Sequence, residues 1–373
     1  MIYKKICIIG AGNVGVTSAI DISHSTKKMV ILHSSKANRM KNIFTKIDTD
    51  FNSIKEAEIE VTDNYDESMK NTDIVIVTVP SFVIKPVIKA ISRYNPKIVI
   101  FIPGFGGKEF LCKELIQKGT CIVGFSRSPY ICRLKDLQTV YSSTKKELSY
   151  ATINEHEDIK ELLSQLFGIP FKKYQNYLLI TLEPSNPILH TARLYSMFKD
   201  YDFSSKFSRM IKFYGEWSDY SSEILIKMDK ELNSIIGKIL NIDLSAHIDI
   251  RTYYESQTEK EMTDKITKIK SWHNIDSPMI KKDNFYYIDK NSRYFLEDFR
   301  YGLCIIRGFA KIVNVETPIM DEILYWFEKI SGLELFDSNG LFEGKDLINS
   351  GIPQNFGIKT CQDIEKFYSK QEK

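Results

Sequence analysis

A chain of 373 residues with 43% hydrophobic and 27% charged content has room for a sizeable core and two domains, near the averages for globular proteins. The net charge of +3 is a small difference between 51 basic and 48 acidic residues. Pairs such as Lys4-Lys5, Lys27-Lys28 and Lys281-Lys282 are separated by acidic or apolar residues, so no basic stripe forms. The longest apolar runs, 74–79 and 98–102, fall well short of the roughly 18 residues of a membrane helix. Neither nucleic acid nor membrane is therefore an expected partner.

From residue 1 to about 153, short β-rich runs at 6–9, 29–32, 74–79, 98–102 and 120–125 alternate with helix-like segments at 14–25, 81–94 and 108–118. That alternation predicts βαβ units around a doubly wound parallel sheet of the Rossmann kind. The stretch 139–153 is expected to add strands at the edge of that sheet, before a helix near 158–167. The run ICIIGAGNVG places Gly10, Gly12 and Gly15 directly after the first strand and at the start of a helix. In that context Gly10 makes the tight turn, Gly12 admits a pyrophosphate to the backbone, and Gly15 lets helix and strand pack closely. The amides of Asn13, Val14 and Gly15 then face the anion. A glycine turn without a ligand is the alternative.

An NAD-binding chain usually places Asp or Glu on the adenosine ribose roughly 20 residues further on. Here the region reads VILHSSKANR, with no acidic residue at the strand end. Ser34, Ser35, Lys36 and Arg39 are instead suited to a 2′-phosphate, so NADP(H) is expected over NAD(H). The alternative is that Lys36 and Arg39 are ordinary surface charges. Pro80 after the third strand run, and Pro103, Gly104, Gly106 and Gly107 after the fourth, stand at carboxyl ends of strands, where open α/β sheets bind ligands.

Past residue 183, apolar residues recur every three or four positions through 187–199, 206–226, 228–240, 299–313 and 318–331, which predicts an all-α second domain. The expected domains are 1–182 and 183–373. Thr317 is suited to cap the last of these helices, with Pro318 in its first turn and Gly332 after its end. The polar and aromatic stretch 274–292 reads as a loop or hairpin. Six cysteines, Cys7, Cys112, Cys121, Cys132, Cys304 and Cys361, lack metal-ligand spacing, so reduced thiols, no metal and a cytoplasmic setting are expected. The N-terminus shows no signal-peptide pattern.

Of six histidines, His190 stands out, because Asn186 precedes it by one helical turn on the same face. Spacing alone favours a structural histidine. A second run, NSRYFLEDFRYGL, sets Arg293, Glu297, Asp298 and Arg300 among aromatics. In a continuous helix Arg293 pairs with Glu297. If a helix instead begins at Asp298 as its cap, Arg293 lies on the entering loop and faces the same site as Asp298.

Taken together, GAGNVG, PYICR (129–133), KKEL (145–148), the Asn186 and His190 pair, RYFLED (293–298) with Gly302-Leu303, VETP (315–318) and GKDLINSGI (344–352) resemble the octopine/nopaline (opine) dehydrogenase family. The resemblance spans nearly the whole chain. It implies a Rossmann domain followed by a helical domain, and NAD(P)H-dependent reductive condensation of an α-keto acid with the amino group of an amino acid or other amine. His190 is then the proton donor and acceptor, and Asp298 orients its ring and stabilises its charged form. Arg293 grips the keto-acid carboxylate and Asn186 hydrogen-bonds substrate or cofactor. The sequence departs from the family at FSRS before Pro129 and at Phe299-Arg300 after the Glu-Asp pair. Two other readings stand beside it: a simple 2-keto-acid or polyol-phosphate dehydrogenase, and a non-catalytic NADP(H)-sensing module. Small-molecule substrates are the expected partners, with homodimer formation left open.

Overall fold

Strands as uniformly apolar as KICII, IVIV and IVIF must be covered on both faces, which is the situation of a parallel sheet flanked by helices. The computed structural model describes residues 3–26, 28–156, 158–202 and 205–369, so Lys27 of the Lys27-Lys28 pair lies outside the described residues. The chain divides into two compact units, Met1–Thr181 with Tyr368–Lys373, and Leu182–Phe367.

In chain order the first unit runs β1 (Lys5–Ile9), α1 (Asn13–Ser25), β2 (Met29–His33), β3 (Ile43–Asp48), β4 (Ile54–Glu58), β5 (Glu60–Thr62), α2 (Tyr65–Met69), β6 (Ile74–Val77), α3 (Ile84–Ile91) and β7 (Ile98–Phe101). It continues with α4 (Lys108–Leu111), α5 (Lys113–Gln117), β8 (Cys121–Phe125), β9 (Tyr130–Leu134), β10 (Thr139–Thr144), β11 (Leu148–Ile153), α6 (Ile159–Phe167), β12 (Phe171–Lys173) and α7 (Leu178–Thr181). The main sheet has the order β12-β11-β8-β7-β6-β1-β2-β5. Strands β2, β1, β6, β7 and β8 are mutually parallel, and β11 joins antiparallel to β8. The chain leaves β1 toward β2 on one side and returns with β6 on the other. The switch point therefore lies between β1 and β6, where such sheets bind ligands.

The stretch 139–153 does not join one sheet. Only β11 extends the main sheet, while β10 enters a separate four-stranded sheet, β4-β3-β10-β9. That sheet brings the buried Lys46 ammonium onto α1, 2.7 Å from Asp21. The core of the unit joins Val16, Ala19 and Ile20 of α1 to Leu163 and Leu166 of α6, with Phe125 and Phe171 in ring contact at 4.9 Å. The expected second domain, 183–373, loses its end to this unit. Tyr368 is fully buried here, and its hydroxyl donates to Glu109 at 2.9 Å.

The second unit runs α8 (Asn186–Phe198), α9 (Asp219–Gly237), α10 (Ile250–Tyr253), α11 (Glu259–Thr267), the hairpin β13 (Met279–Lys282) and β14 (Phe285–Ile288), α12 (Arg293–Leu296), α13 (Cys304–Ile312), α14 (Pro318–Ser331) and α15 (Cys361–Tyr368), whose last residue belongs to the first unit. Helix α9 packs against α8, α11 and α14.

Three sequence expectations are corrected here. The two helices expected at 206–226 and 228–240 are one, α9, capped by Ser218, whose hydroxyl accepts from Ser221 N. Residues 205–217 are irregular because Arg193 takes the carbonyls of Lys212, Phe213 and Glu216, which a helix would need for its own amides. Third, a π-turn over Phe299–Leu303 precedes α13, so 299–313 is not one regular helix. No helix among the described residues is long and apolar enough to cross a membrane.

Candidate active site

The three glycines of the turn after β1 answer to three different constraints. Gly10 has φ +111°, and a Cβ there would lie 2.7 Å from Thr78 Oγ1. At Gly15 a Cβ would come 1.7 Å from the Gly10 carbonyl oxygen. Gly12 differs: its backbone is extended and nothing lies within 4 Å of a Cβ. The chain's own packing does not require glycine at 12, so the space beside it fits the approach of a group from outside the chain. Helix α1 has no side-chain cap and no acidic residue in its first turn, which leaves the amides of Asn13, Val14 and Gly15 to an anion. These residues fit a dinucleotide pyrophosphate.

Asn13 brings its backbone amide to that role, while its side-chain Oδ1 accepts from Leu134 N at 2.9 Å and ties α1 to β9. Thr78 was not singled out from sequence. Its hydroxyl donates to the Ile9 and Gly10 carbonyls, fastening β6 to the glycine turn across the switch point. Pro80 follows, half-buried, at the entry to a short 3-10 turn.

At the end of β2, the buried His33 stacks on Tyr65 with ring centroids 4.1 Å apart and hydrogen-bonds Ser68, and burial lowers its pKa. Ser34 is buried and its hydroxyl accepts from Lys36 N, shaping the turn. Ser35, Lys36 and Arg39 are exposed, and neither cation forms an ion pair with a described residue.

In the second unit, α8 starts with Asn186 and Pro187 and presents Asn186 and His190 on one face. Asn186 is half-buried, and its amide meets no hydrogen-bond partner among the described residues. His190 is 7% exposed, with Nδ1 2.7 Å from Asp298 Oδ2 and Nε2 2.7 Å from the Tyr214 hydroxyl. Tyr294 and Phe213 wall the ring at centroid distances of 4.8 and 5.4 Å.

Asp298 does not cap a helix as expected; its carboxylate goes to His190 instead. Burial pushes its pKa up, and the His190 ring opposes that rise by favouring the charged form. The π-turn that follows is the irregularity that sets this carboxylate against α8, as such turns often do at functional sites. Gly302 permits the approach, because a Cβ there would lie 3.0 Å from Pro187 Cβ.

Arg293 opens α12 rather than lying on a loop, and its Nε lies 3.5 Å from the buried Glu297 carboxylate. Its side chain is 67% exposed, so the remaining guanidinium nitrogens stay open to solvent. The departures at Phe299-Arg300 have a structural use. Phe299 stacks on Phe327 at 4.1 Å, and Arg300 donates to the Asn349 carbonyl. Tyr214 escaped sequence reasoning because it sits in the segment misread as a helix, and no spacing links it to His190.

Residues 173–331 match the family model described as NAD/NADP octopine/nopaline dehydrogenase, alpha-helical domain, and residues 5–102 match the model described as NADP oxidoreductase coenzyme F420-dependent. The tauropine dehydrogenase of Arabella iricolor is 26% identical over 98% of this chain and all of its own length. The octopine dehydrogenase of Mizuhopecten yessoensis is 25% identical over 96% of this chain and 98% of its own. A solved octopine dehydrogenase in complex with NADH and agmatine superposes with a TM-score of 0.84 at 23% identity, covering 97% of both chains. An NADP+-bound yersinopine dehydrogenase gives 0.68 at 14% identity, covering 98% of both. The helical-domain match and these full-length relatives agree: along its length the chain is similar to the octopine/nopaline dehydrogenases, and its fold is that of the solved octopine dehydrogenase.

Proposed function

We propose that this protein is an opine dehydrogenase, which condenses an α-keto acid with an amino group and reduces the resulting imine at the expense of NAD(P)H. The observation that carries the reading is the buried pair of His190 Nδ1 and Asp298 Oδ2 at 2.7 Å, on a helical domain that matches this family. An imidazole oriented by a carboxylate is the base-and-orienter arrangement that proton transfer requires. Asp298 holds the proton on Nδ1 and stabilises the imidazolium. His190 supplies the proton that lets the carbinolamine lose water. Arg293, with free guanidinium nitrogens, binds the keto-acid carboxylate through charge-assisted hydrogen bonds. Asn186, one turn before His190, offers its unengaged amide to substrate or cofactor.

Bound at the glycine turn, the nicotinamide cofactor supplies the hydride. Gly10, Gly12 and the α1 amides hold its pyrophosphate, and Pro80 borders the site. The exposed cations Lys36 and Arg39, with Ser34 and Ser35, support NADP(H) over NAD(H). The six free cysteines suit a reducing, cytoplasmic setting.

The test follows oxidation of NADPH and of NADH with a panel of keto acids headed by pyruvate, each with and without amino acids or other amines. Turnover is expected only when keto acid and amine are both present, and faster with NADPH. Turnover with keto acid alone would make the protein a simple keto-acid dehydrogenase, and binding of cofactor without turnover a sensor.

A further inference from the structure

Both ring nitrogens of His190 are already taken. Facing the Asp298 carboxylate, Nδ1 carries the proton, so Nε2 accepts from the Tyr214 hydroxyl. A reacting atom can therefore meet the ring only by displacing that hydroxyl or by exchanging protons through it.

Displacement is opposed by the way Tyr214 is held. Arg193, one turn after His190 on α8, donates to the carbonyls of Phe213 and Glu216 at 2.7 Å each, to that of Lys212 at 3.4 Å and to Ser221 Oγ at 3.0 Å. A guanidinium only 3% exposed that spends its donors on one loop and the first turn of α9 has a geometric purpose, and burial lowers its pKa only to about 10, so it stays charged at neutral pH. The Tyr214 ring lies 4.6 Å from the Trp272 ring and stacks on Trp217 at 6.2 Å. Trp217 is itself fixed, its indole N–H donating to Ser222 at 3.0 Å. The hydroxyl is thus a built part of the site.

We propose that Tyr214 is a catalytic residue, the outer member of a relay Asp298–His190–Tyr214 through which protons pass between the imidazole and the substrate. The proposal rests on the imine-forming reading above. In the dehydration step Tyr214 Oη gives its proton to the carbinolamine hydroxyl. The C–O bond breaks, water leaves, and the nitrogen lone pair completes the protonated imine. Oη takes back a proton from His190 Nε2, which had received it through Oη from the substrate's ammonium group when the amine was freed to attack, and the ring returns to its neutral form with Nδ1–H on Asp298. Around the ring the ionisable groups are Asp298 itself, Glu297, Arg293 and Tyr294 from the 293–298 stretch, Tyr214 from the loop, and Arg193 on α8.

Tyr214→Phe keeps the ring and its stacking and removes only the hydroxyl. Assayed with the fastest pair from the panel above, it is expected to lower kcat by about 10²-fold or more. The dissociation constant for NADPH, the KM for the keto acid and the melting temperature should stay within about twofold and a few degrees. Fluorinating the Tyr214 ring, which acidifies the phenol at nearly constant volume, is expected to move the alkaline limb of the kcat profile to lower pH, a shift that a packing role would not produce. Wild-type kcat in Tyr214→Phe overturns the relay, and so does a raised kcat, which would mean the hydroxyl only blocks Nε2. His190→Ala, measured alongside, separates this failure from a larger one. Loss of about 10² to 10⁴-fold there with an active Tyr214→Phe removes the relay alone, whereas an active His190→Ala removes the whole reading of the site.

Discussion

Asp298 and Glu109 are both buried carboxyls, yet their neighbours give them different chemistry. Asp298 faces an imidazole that can share its proton. Glu109 accepts on Oε1 from the neutral hydroxyls of Thr181 and Tyr368, while its Oε2 has no hydrogen-bond partner among the described residues. Burial pushes Glu109 from 4.5 to about 7. A carboxyl raised by folding binds its proton more tightly in the native state, so its stabilising contribution is full below about pH 4.5 and is lost as pH rises through 7. Glu109→Gln, which cannot titrate, is expected to show a shallower fall in melting temperature between pH 5 and 8 than the wild type, by calorimetry. Equal slopes would contradict it. Asp229, raised to about 6, and Glu231, to about 7, act in the same direction, so the fall should shrink rather than vanish. Of the residues of the proposed site, His190 and Asn186 were legible because helix spacing alone places them together. Tyr214 and Arg193 were not, because their bond to one another runs through backbone carbonyls that no side-chain pattern records.

Among the elements, α14 shows how a correct boundary can have an unexpected cause. Pro318 stands in its first turn and Gly332 takes the left-handed conformation at φ +77°, as the sequence predicts. Thr317, the expected cap, makes no capping bond. The Glu231 carboxylate from α9 accepts instead from the amides of Ile319 and Met320 at 2.7 and 3.0 Å. Glu231→Ala is therefore expected to cost about 1 to 2 kcal/mol of stability, the usual worth of a cap, and Thr317→Ala clearly less. Denaturant unfolding of the two variants would check this, and the reverse order would refute it. The π-turn at 299–303 was invisible for a similar reason. Its residues have an ordinary helical pattern, and only the demand that Asp298 meet α8 shifts the hydrogen bonding.

At the scale of the whole molecule, the proposed chemistry is divided between the units, with the glycine turn in the first and the His190–Asp298 pair in the second. Cofactor choice should then respond to the first unit alone. Replacing Lys36 and Arg39 together by Ala is expected to raise the KM for NADPH about tenfold, the worth of one charge-assisted phosphate contact, and to leave that for NADH unchanged. An equal rise for both cofactors would mean that the two cations do not recognise a 2′-phosphate. The sequence by itself determined the parallel sheet, the glycine turn, the helical second half and the His190 candidate, because each rests on spacing within one element, which local geometry converts directly into a shared face or a turn. Tertiary structure alone decided the second sheet, the return of Tyr368 to the first unit, the capture of the 212–216 carbonyls by Arg193 and the engagement of both His190 nitrogens. Each of these is a contact between distant segments, chosen when buried polar groups must find partners once water is gone.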